Sequence, residues 1–395
     1  MKSKLQSTIL DDLSEQIVDS EHKTAPTQSF GIPYVRTPNV KNTRLILDDA
    51  FRVSEETYKE WTQRIEPRPY DIILCREAPV GDSGMILPNQ RVCLGQRTVL
   101  IRPNKKKIYP KYLLFLLNSP KIKHELLSNS GGTHVDHLNM KDIRNLKVEI
   151  PHSYDEQKNR GNLLFNLNSQ IYSIENQNKV LEKIIQTIFK SWFIDFDGQT
   201  EFVYCEFREI PKGWNIVKLD DVSNSIQIRI KPSEKSDEMK YISLDSMPSS
   251  STHLQDFLPS SKVNSSIIQF KKYDILFGNM RPYFKRVGLA PFDGITRTTT
   301  FVIRPKEEKF LYWLLFYLAR DEIINYATSA SVGSTIPYVE WDALKNYEVV
   351  KPDEKIIKKF NAISSVIMES VFSNMKMIRE LTQTRDILLP KLMSR

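Results

Sequence analysis

Two carboxylates beside a hydrophobic wall can act as general acid and base, because the wall raises the pKa of one of them. The run IFKSWFIDFDG, residues 188–198, has that composition, with Asp195 and Asp197 among four aromatic rings. A second constellation, HVDH at 134–137, sets two histidines around an aspartate, donors that suit a divalent metal. A third, PDEK at 352–355, puts two carboxylates next to a lysine, the residue types of a nuclease site.

Each lacks a further part that its chemistry requires. The HVDH donors crowd one loop without a remote fourth ligand, and the second half of the chain carries TIPY at the matching place. The PDEK carboxylates are adjacent rather than spread over two strands, and Asp353 is better placed to cap a helix. NMRPYF at 279–284 faintly resembles the N-P-P-Y loop of amino-methyltransferases, but its spacing differs and no glycine-rich cofactor or phosphate loop occurs. Cys75, Cys93 and Cys205 form no CxxC pair and read as reduced thiols. Neither a catalytic residue nor a metal ligand is therefore assigned.

The elements that carry these stretches occur twice. YDIIL (70–74), TVLIRP (98–103) and GGTHVDHLNMKDIRNLKVEIP (131–151) are followed, in the same order and about 200 residues later, by YDILF (273–277), TFVIRP (300–305) and VGSTIPYVEWDALKNYEVVKP (332–352). Tyr34 in IPYVRTPNV corresponds to Tyr241 in MKYISLDSM, and LDDL at 10–13 to LDDV at 219–222. The chain is a tandem duplication. Each unit has short β-branched and aromatic runs broken by Pro, Gly and Asn, with short helical stretches such as PKYLLFLLNSPKIKHELL, which predicts an α+β domain.

After Pro151 and Pro352 the pattern changes to long segments without proline for more than 30 residues. Ser153 and Glu156 have capping-box spacing, and Asp353 is a plausible N-cap. Gly161 costs the first helix about 1 kcal/mol. A 4-3 spacing links Leu167, Ile171, Ile174, Asn178, Leu181, Ile185, Ile188 and Trp192, and the same register links Ile367, Val371, Asn374, Ile378, Leu381, Arg385, Leu388 and Leu392. These seams predict two antiparallel coiled-coil helices, each about 60 Å long. Asn178 facing Asn374 would fix their register, with Trp192 beside Phe360 and Leu167 poorly matched to Arg385. Phe189 and Phe193 lie off the seam, one turn apart, and suit packing against a domain or a partner subunit. The expected divisions are 1–152, a first α+β domain; 153–197, the central helix; 198–352, a second α+β domain; and 353–395, the C-terminal helix.

Net charge is +8 and the isoelectric point about 9.1, which favours a polyanionic partner. No apolar run reaches the roughly 20 residues of a membrane span. The N-terminal stretch has no apolar signal region, so a cytoplasmic location is the expectation.

On the motifs IPYVRTPNV, REAPVG (76–81), GQRTVLIRP (95–103), IFKSWFIDFDG, IPKGW (210–214), LFGNMRPYFKRVGLA (276–290) and TRDILLPKLMSR (384–395), the chain resembles the specificity subunits of type I restriction-modification systems over essentially its whole length. The resemblance implies two DNA target-recognition domains, related by a pseudo-twofold and separated by two antiparallel helices. Each domain reads one half of a bipartite, asymmetric site in double-stranded DNA. The helices act as spacer and as scaffold for two adenine-methyltransferase (modification) subunits, and thereby the restriction subunits. No cofactor is implied for this chain; S-adenosylmethionine, ATP and Mg belong to the partner subunits. The two competing readings are a coiled-coil scaffold that does not bind DNA and the specificity part of a fused restriction-methylation enzyme.

Base reading needs polar and cationic side chains on loops. In the first domain the candidates are Arg36, Arg76, Arg91, Arg97, Thr133 and His134. In the second they are Arg281, Lys285, Arg286, Arg297, Ser334 and Thr335. Arg102 and Arg304 recur in equivalent IRP positions. Domains that read different sequences would not repeat a reader, so these two are expected to be structural or to face phosphate.

Overall fold

The repeated runs become the central strands of two sheets with the same strand order. In the computed structural model, which describes residues 5–77, 79–128, 137–205, 208–249 and 251–394, the chain forms two units. One is Met1–Tyr172 with Arg379–Arg395, and the other is Ser173–Ile378. Among the described residues no helix is long and apolar enough to cross a membrane.

In the first unit the antiparallel order is Ser14–Asp19, Thr98–Pro103, Ile72–Cys75, Ser83–Met85, with Leu100 paired to Ile73 and Val18. The helix Pro110–Leu117 (PKYLLFLL) is apolar on nearly every side and is almost wholly buried against this sheet's core. In the second unit the order is Ser223–Ile226, Thr300–Pro305, Ile275–Gly278, Val287–Leu289, with Leu276 paired to Val302, and Leu311–Leu318 is the equivalent buried helix. Each repeat closes on an equivalent antiparallel pair made with its last strand, which in the second follows the hairpin of Phe202–Cys205 with Arg208–Pro211. Leu5–Ile9 lies against Lys147–Pro151, and Asn215–Lys218 against Glu348–Lys351.

The two copies diverge outside this frame. Ile32–Val35 is the middle strand of three, between Phe51–Val53 and Cys93–Leu94. Its counterpart Lys240–Tyr241 lies in a sheet of five. The tyrosine before each YDI strand, Tyr70 and Tyr273, takes a left-handed backbone with φ of 74° and 71°. The buried aspartate that follows is held by the IRP arginine: Arg102 bonds Asp71 at 2.7 and 3.0 Å, and Arg304 bonds Asp274 at 2.6 and 2.8 Å. Both arginines serve the repeated frame.

The long helices span Tyr154–Phe193 and Glu354–Met393. Ser153 Oγ accepts the Glu156 N–H at 3.3 Å, and Asp353 accepts from Lys355 and Ile356 at 2.8 and 3.0 Å, so both N-termini are capped as their sequences require. In the second unit Asn374 Nδ2 donates to Asn178 Oδ1 at 2.8 Å, and Trp192 lies 6.3 Å from Phe360, so these halves run antiparallel. In the first unit Arg160 donates to the Leu392 carbonyl at 2.5 Å and Arg385 to Asn168 at 3.1 Å, again antiparallel.

The buried stripe is wider than a two-position seam. Ile171, Ile174, Asn178, Ile185, Val371 and Ile378 are buried, while Leu167, Leu181, Ile188, Trp192, Ile367, Asn374, Leu381 and Leu388 are half-buried. Leu164, Asn168, Glu182 and Phe189, off the seam, are buried as well. The added width is the flank that each helix half presents to its own domain.

That flank corrects the assignment of Phe189 and Phe193 to partner docking. They are only 4% and 2% exposed, and they pack with Phe316, Trp214 and Phe360 in the second domain's core. The acidic pair after them ends the helix: Asp195 pairs with Lys190, and Asp197 accepts from Ser191 Oγ at 2.8 Å. Gly161 also acquires a reason. A Cβ there would stand 2.6 Å from the Tyr112 backbone nitrogen, so the helix approaches Pro110–Leu117 more closely than any side chain allows. Gly161→Ala is therefore expected to destabilise the first unit by about 1–3 kcal/mol, against the gain that helix propensity alone predicts. Denaturant titration checks the sign.

Candidate nucleic-acid interface

In the second unit three loops meet at Asn279, which is only 8% exposed. Its N–H donates to the Thr299 carbonyl at 3.1 Å, its side-chain amide to Thr298 O at 3.0 Å, and its carbonyl accepts from Val339 at 2.9 Å. Arg281 N–H then donates to Pro337 O at 2.8 Å, and Val332 and Tyr338 exchange bonds of 2.8 and 3.0 Å. These bonds gather the hairpin tip 279–286, the turn 297–300 and the loop 332–338. Arg281, Arg297, Ser334 and Thr335 are all exposed on them. Arg281 and Arg297 make no side-chain hydrogen bond or ion pair among the described residues, so both guanidinium groups are available to a ligand.

Lys285 and Arg286 differ. Lys285 pairs with Asp321 at 2.6 Å. Arg286 donates to Leu244 O at 2.8 Å and Asp245 at 2.9 Å, and its guanidinium lies 5.3 Å from the Phe284 ring. Arg286 supports the tip from behind.

The first unit uses the same hub with another residue. Arg76 N–H donates to Arg97 O at 2.8 Å and its carbonyl accepts from Leu138 at 3.1 Å, the bonds that Asn279 makes to Thr299 and Val339. Its guanidinium turns inward, to Leu138 O at 2.9 Å and His137 Nε2 at 2.8 Å, and the residue is 7% exposed. The assignment of Arg76 as a base reader is corrected accordingly: burial makes it the tie between loops. Because guanidinium only donates, His137 Nε2 carries no proton, and Nδ1–H donates to Glu77 at 2.6 Å. Glu77 also holds Arg97 Nε at 2.8 Å. Both nitrogens of the HVDH motif's last histidine are thus occupied. Among the described residues no three His, Cys, Asp or Glu side chains group to hold a metal. Thr133 and His134 lie outside the described residues.

Arg36 and Arg91 take aromatic partners. Arg36 is half-buried, 4.2 Å from the Phe51 ring, and Arg91 is exposed, bidentate to Glu55 at 2.7 and 2.9 Å and 4.1 Å from the Tyr58 ring. The choice of cations alone overlooked exposed rings at these tips: Phe51 at 50%, Tyr283 at 47%, Tyr338 at 41% and Phe284 at 39%. The basic-aromatic run RPYFKR at 281–286 was the signal for two of them.

A buried carboxylate fastens the second domain to its helix. Glu182, 7% exposed, accepts from Ser251 Oγ at 3.0 Å, from Thr252 Oγ1 at 2.6 Å and from the Thr252 N–H, and lies 3.2 Å from His253 Nδ1. Burial pushes its carboxyl up, but the bonds from His253 and Thr252 outweigh burial and hold it below the ordinary carboxylate value. A folded pKa below the unfolded one gives stability that is present at neutral pH and lost as pH falls through the carboxylate range, near 4. The stability difference between wild type and Glu182→Gln is expected to be largest at neutral pH and to shrink below about pH 4. A difference that grew with acid would contradict this.

Comparison with known proteins agrees with this geometry. The profile of the type I restriction modification DNA specificity domain matches residues 11–183 and again 211–371, one match per repeat. The type I restriction enzyme MjaIX specificity subunit of Methanocaldococcus jannaschii is 26% identical, covering 96% of this chain and 90% of its own. The HindI specificity subunit of Haemophilus influenzae is 22% identical, covering 75% and 79%. The S subunit of a type I restriction-modification system from M. genitalium shares the fold, with TM-score 0.65 at 13% identity and coverage of 99% and 96%. With two matched copies spanning most of its length, the chain belongs to the type I restriction-modification DNA specificity family.

Proposed function

We propose that this chain is the DNA-recognition and scaffolding subunit of a type I restriction-modification complex and performs no chemistry itself. Each α+β domain reads one half of a bipartite site. The observation that carries this reading is a repeated frame with unlike tips. The Asp71–Arg102 and Asp274–Arg304 pairs recur, whereas the hub residue changes from Arg76 to Asn279 and the loops around it change with it. Adenine methylation from S-adenosylmethionine, and ATP- and Mg-dependent cleavage, belong to partner subunits.

The two helices serve as spacer and as docking scaffold for two modification subunits. Phe189 and Phe193 are buried, so docking falls to apolar residues on the outer faces. In the second unit these are Val180 at 58% exposed, Ile184 at 43%, Val366 at 68% and Met377 at 46%. Apolar side chains exposed along a helix suit a partner's surface.

The test is to map methylated adenines in cells that carry this chain with its modification partner. The expected result is one bipartite motif with two unlike halves. Methylation without sequence preference, or no salt-dependent DNA binding by the complex, would leave only a scaffold.

A further inference from the structure

We propose that Tyr283 and Phe284 are specificity-determining residues of the second half-site, reading a thymine through apolar contact with its C5 methyl group. The inference rests on the DNA-recognition reading above.

The tip that carries the rings departs from the repeat. In both units a hairpin returns through the same closing bond: Cys75 N–H to Asp82 O at 2.8 Å, and Gly278 N–H to Arg286 O at 2.8 Å. Between the repeated proline, Pro79 or Pro282, and that closing carbonyl, the first unit has Val80 and Gly81. The second has Tyr283, Phe284 and Lys285, one residue more. Val80 is buried at 8%, whereas both rings are exposed. The duplication keeps the hairpin and replaces its tip, as expected where two domains read different bases.

The extra residue is held at a conformational cost. Arg281 and Lys285 flank the 3-10 turn Pro282–Phe284 with φ of 47° and 53°, left-handed values that non-glycine residues adopt infrequently. Such backbone persists where the surroundings fix it, and it clusters at functional sites. Here the surroundings are the Arg281–Pro337 bond, the Lys285–Asp321 pair and the Arg286–Asp245 pair.

Charge favours DNA as the occupant. Arg281, whose guanidinium makes no hydrogen bond or ion pair among the described residues, precedes the rings, and the hydroxyl loop with Ser334 and Thr335 is tied beside it. Phenylalanine has neither donor nor acceptor, and in the major groove the feature that an apolar side chain distinguishes is the thymine methyl. A projecting wedge between base steps fits less well. The rings lie 4.8 Å apart, only part of each is exposed, and the Arg286 guanidinium backs Phe284, so together they form a low, fixed shelf.

The test uses the complete complex of this chain with its modification partner. Methylated adenines are mapped for wild type, Phe284→Ala, Phe284→Leu, Tyr283→Ala and Tyr283→Phe. Binding is then measured on the mapped duplex with each thymine of the second half-site replaced by uracil. Phe284→Ala and Tyr283→Ala are expected to relax a thymine position in one half-site and to leave the other half-site and the spacer unchanged, while Phe284→Leu and Tyr283→Phe stay close to wild type. One uracil substitution should weaken wild-type binding about fourfold, the equivalent of one buried methyl-sized group, and should not affect Phe284→Ala. If wild type gives a bipartite motif but the alanine variants lower methylation uniformly, or uracil changes nothing, the inference is overturned and the function reading stands. Absence of any bipartite motif in wild type overturns that reading, and this inference with it. Uracil substitution on wild type decides the matter even if an alanine variant fails to fold.

Discussion

Arg102→Ala is expected to cost the first unit about 3–5 kcal/mol, a large share of the roughly 5–15 kcal/mol by which ordinary domains are stable. Asp71 is buried, with a side chain only 3% exposed, and Arg102 meets both of its oxygens from a side chain that is itself 11% exposed. Removing the arginine leaves a carboxylate in the interior without its counter-charge. Arg102 also donates to the Glu66 carbonyl at 2.7 Å and to Gln16 at 3.2 Å, so the variant loosens the segment before the YDI strand as well. Arg304→Ala removes the repeated partner of Asp274, but Arg304's side chain is 35% exposed, so water can partly replace it and the loss should be smaller. Hydrogen exchange resolved by peptide separates the two: protection should fall throughout the first unit for Arg102→Ala and less, in the second unit, for Arg304→Ala. Equal small losses would mean that these arginines are phosphate anchors with little structural role. The double variant Asp71→Asn with Arg102→Gln should recover part of the loss, because no unpaired charge remains buried.

The pairing of these residues shows what was legible in the sequence. A residue that recurs at one register in two domains with different tasks belongs to the frame, and Arg102 and Arg304 could be separated from the readers on that ground alone. The long helices were legible for a similar reason. Their caps and 4-3 spacing are local properties, and the spacing set Asn178 opposite Asn374, where the hydrogen bond lies. Arg76 was not legible. Nothing in REAPVG states that the loops around Arg97 and Leu138 converge on it, and convergence is what turns its guanidinium inward. Lys285 and Arg286 were half legible: the cationic cluster was plain, but the acids facing it, Asp321 and Asp245, are about 35 to 40 residues away in the chain. Phe189 and Phe193 were correctly placed off the seam, but periodicity gives a face and does not say what covers it.

Phe360→Ala carries the second large expected effect, about 3–5 kcal/mol in the second unit. Phe360 is 1% exposed and lies 5.0 Å from Phe193, 6.0 Å from Phe189, 6.3 Å from Trp192 and 6.3 Å from Phe316 by ring centroids. Three of those rings belong to the stretch IFKSWFIDFDG, and Phe316 belongs to the buried helix Leu311–Leu318. One side chain from the second long helix therefore joins the end of the first to the core of the domain. Deleting it opens a cavity among large rings that cannot easily collapse, and it also removes several edge-to-face contacts. Phe360→Leu keeps much of the volume and should cost less. Trp192→Ala should cost less than Phe360→Ala as well, because Trp192 is only half-buried. Equilibrium unfolding followed by Trp fluorescence, with hydrogen exchange to assign the affected unit, measures the order. Because helix and core share this cluster, Phe360→Ala should lower protection in residues 185–193 and in 311–318 together. Loss in the helix alone would show that the helix end frays independently, and the aromatic stretch would then be a cap on the domain without being part of its core.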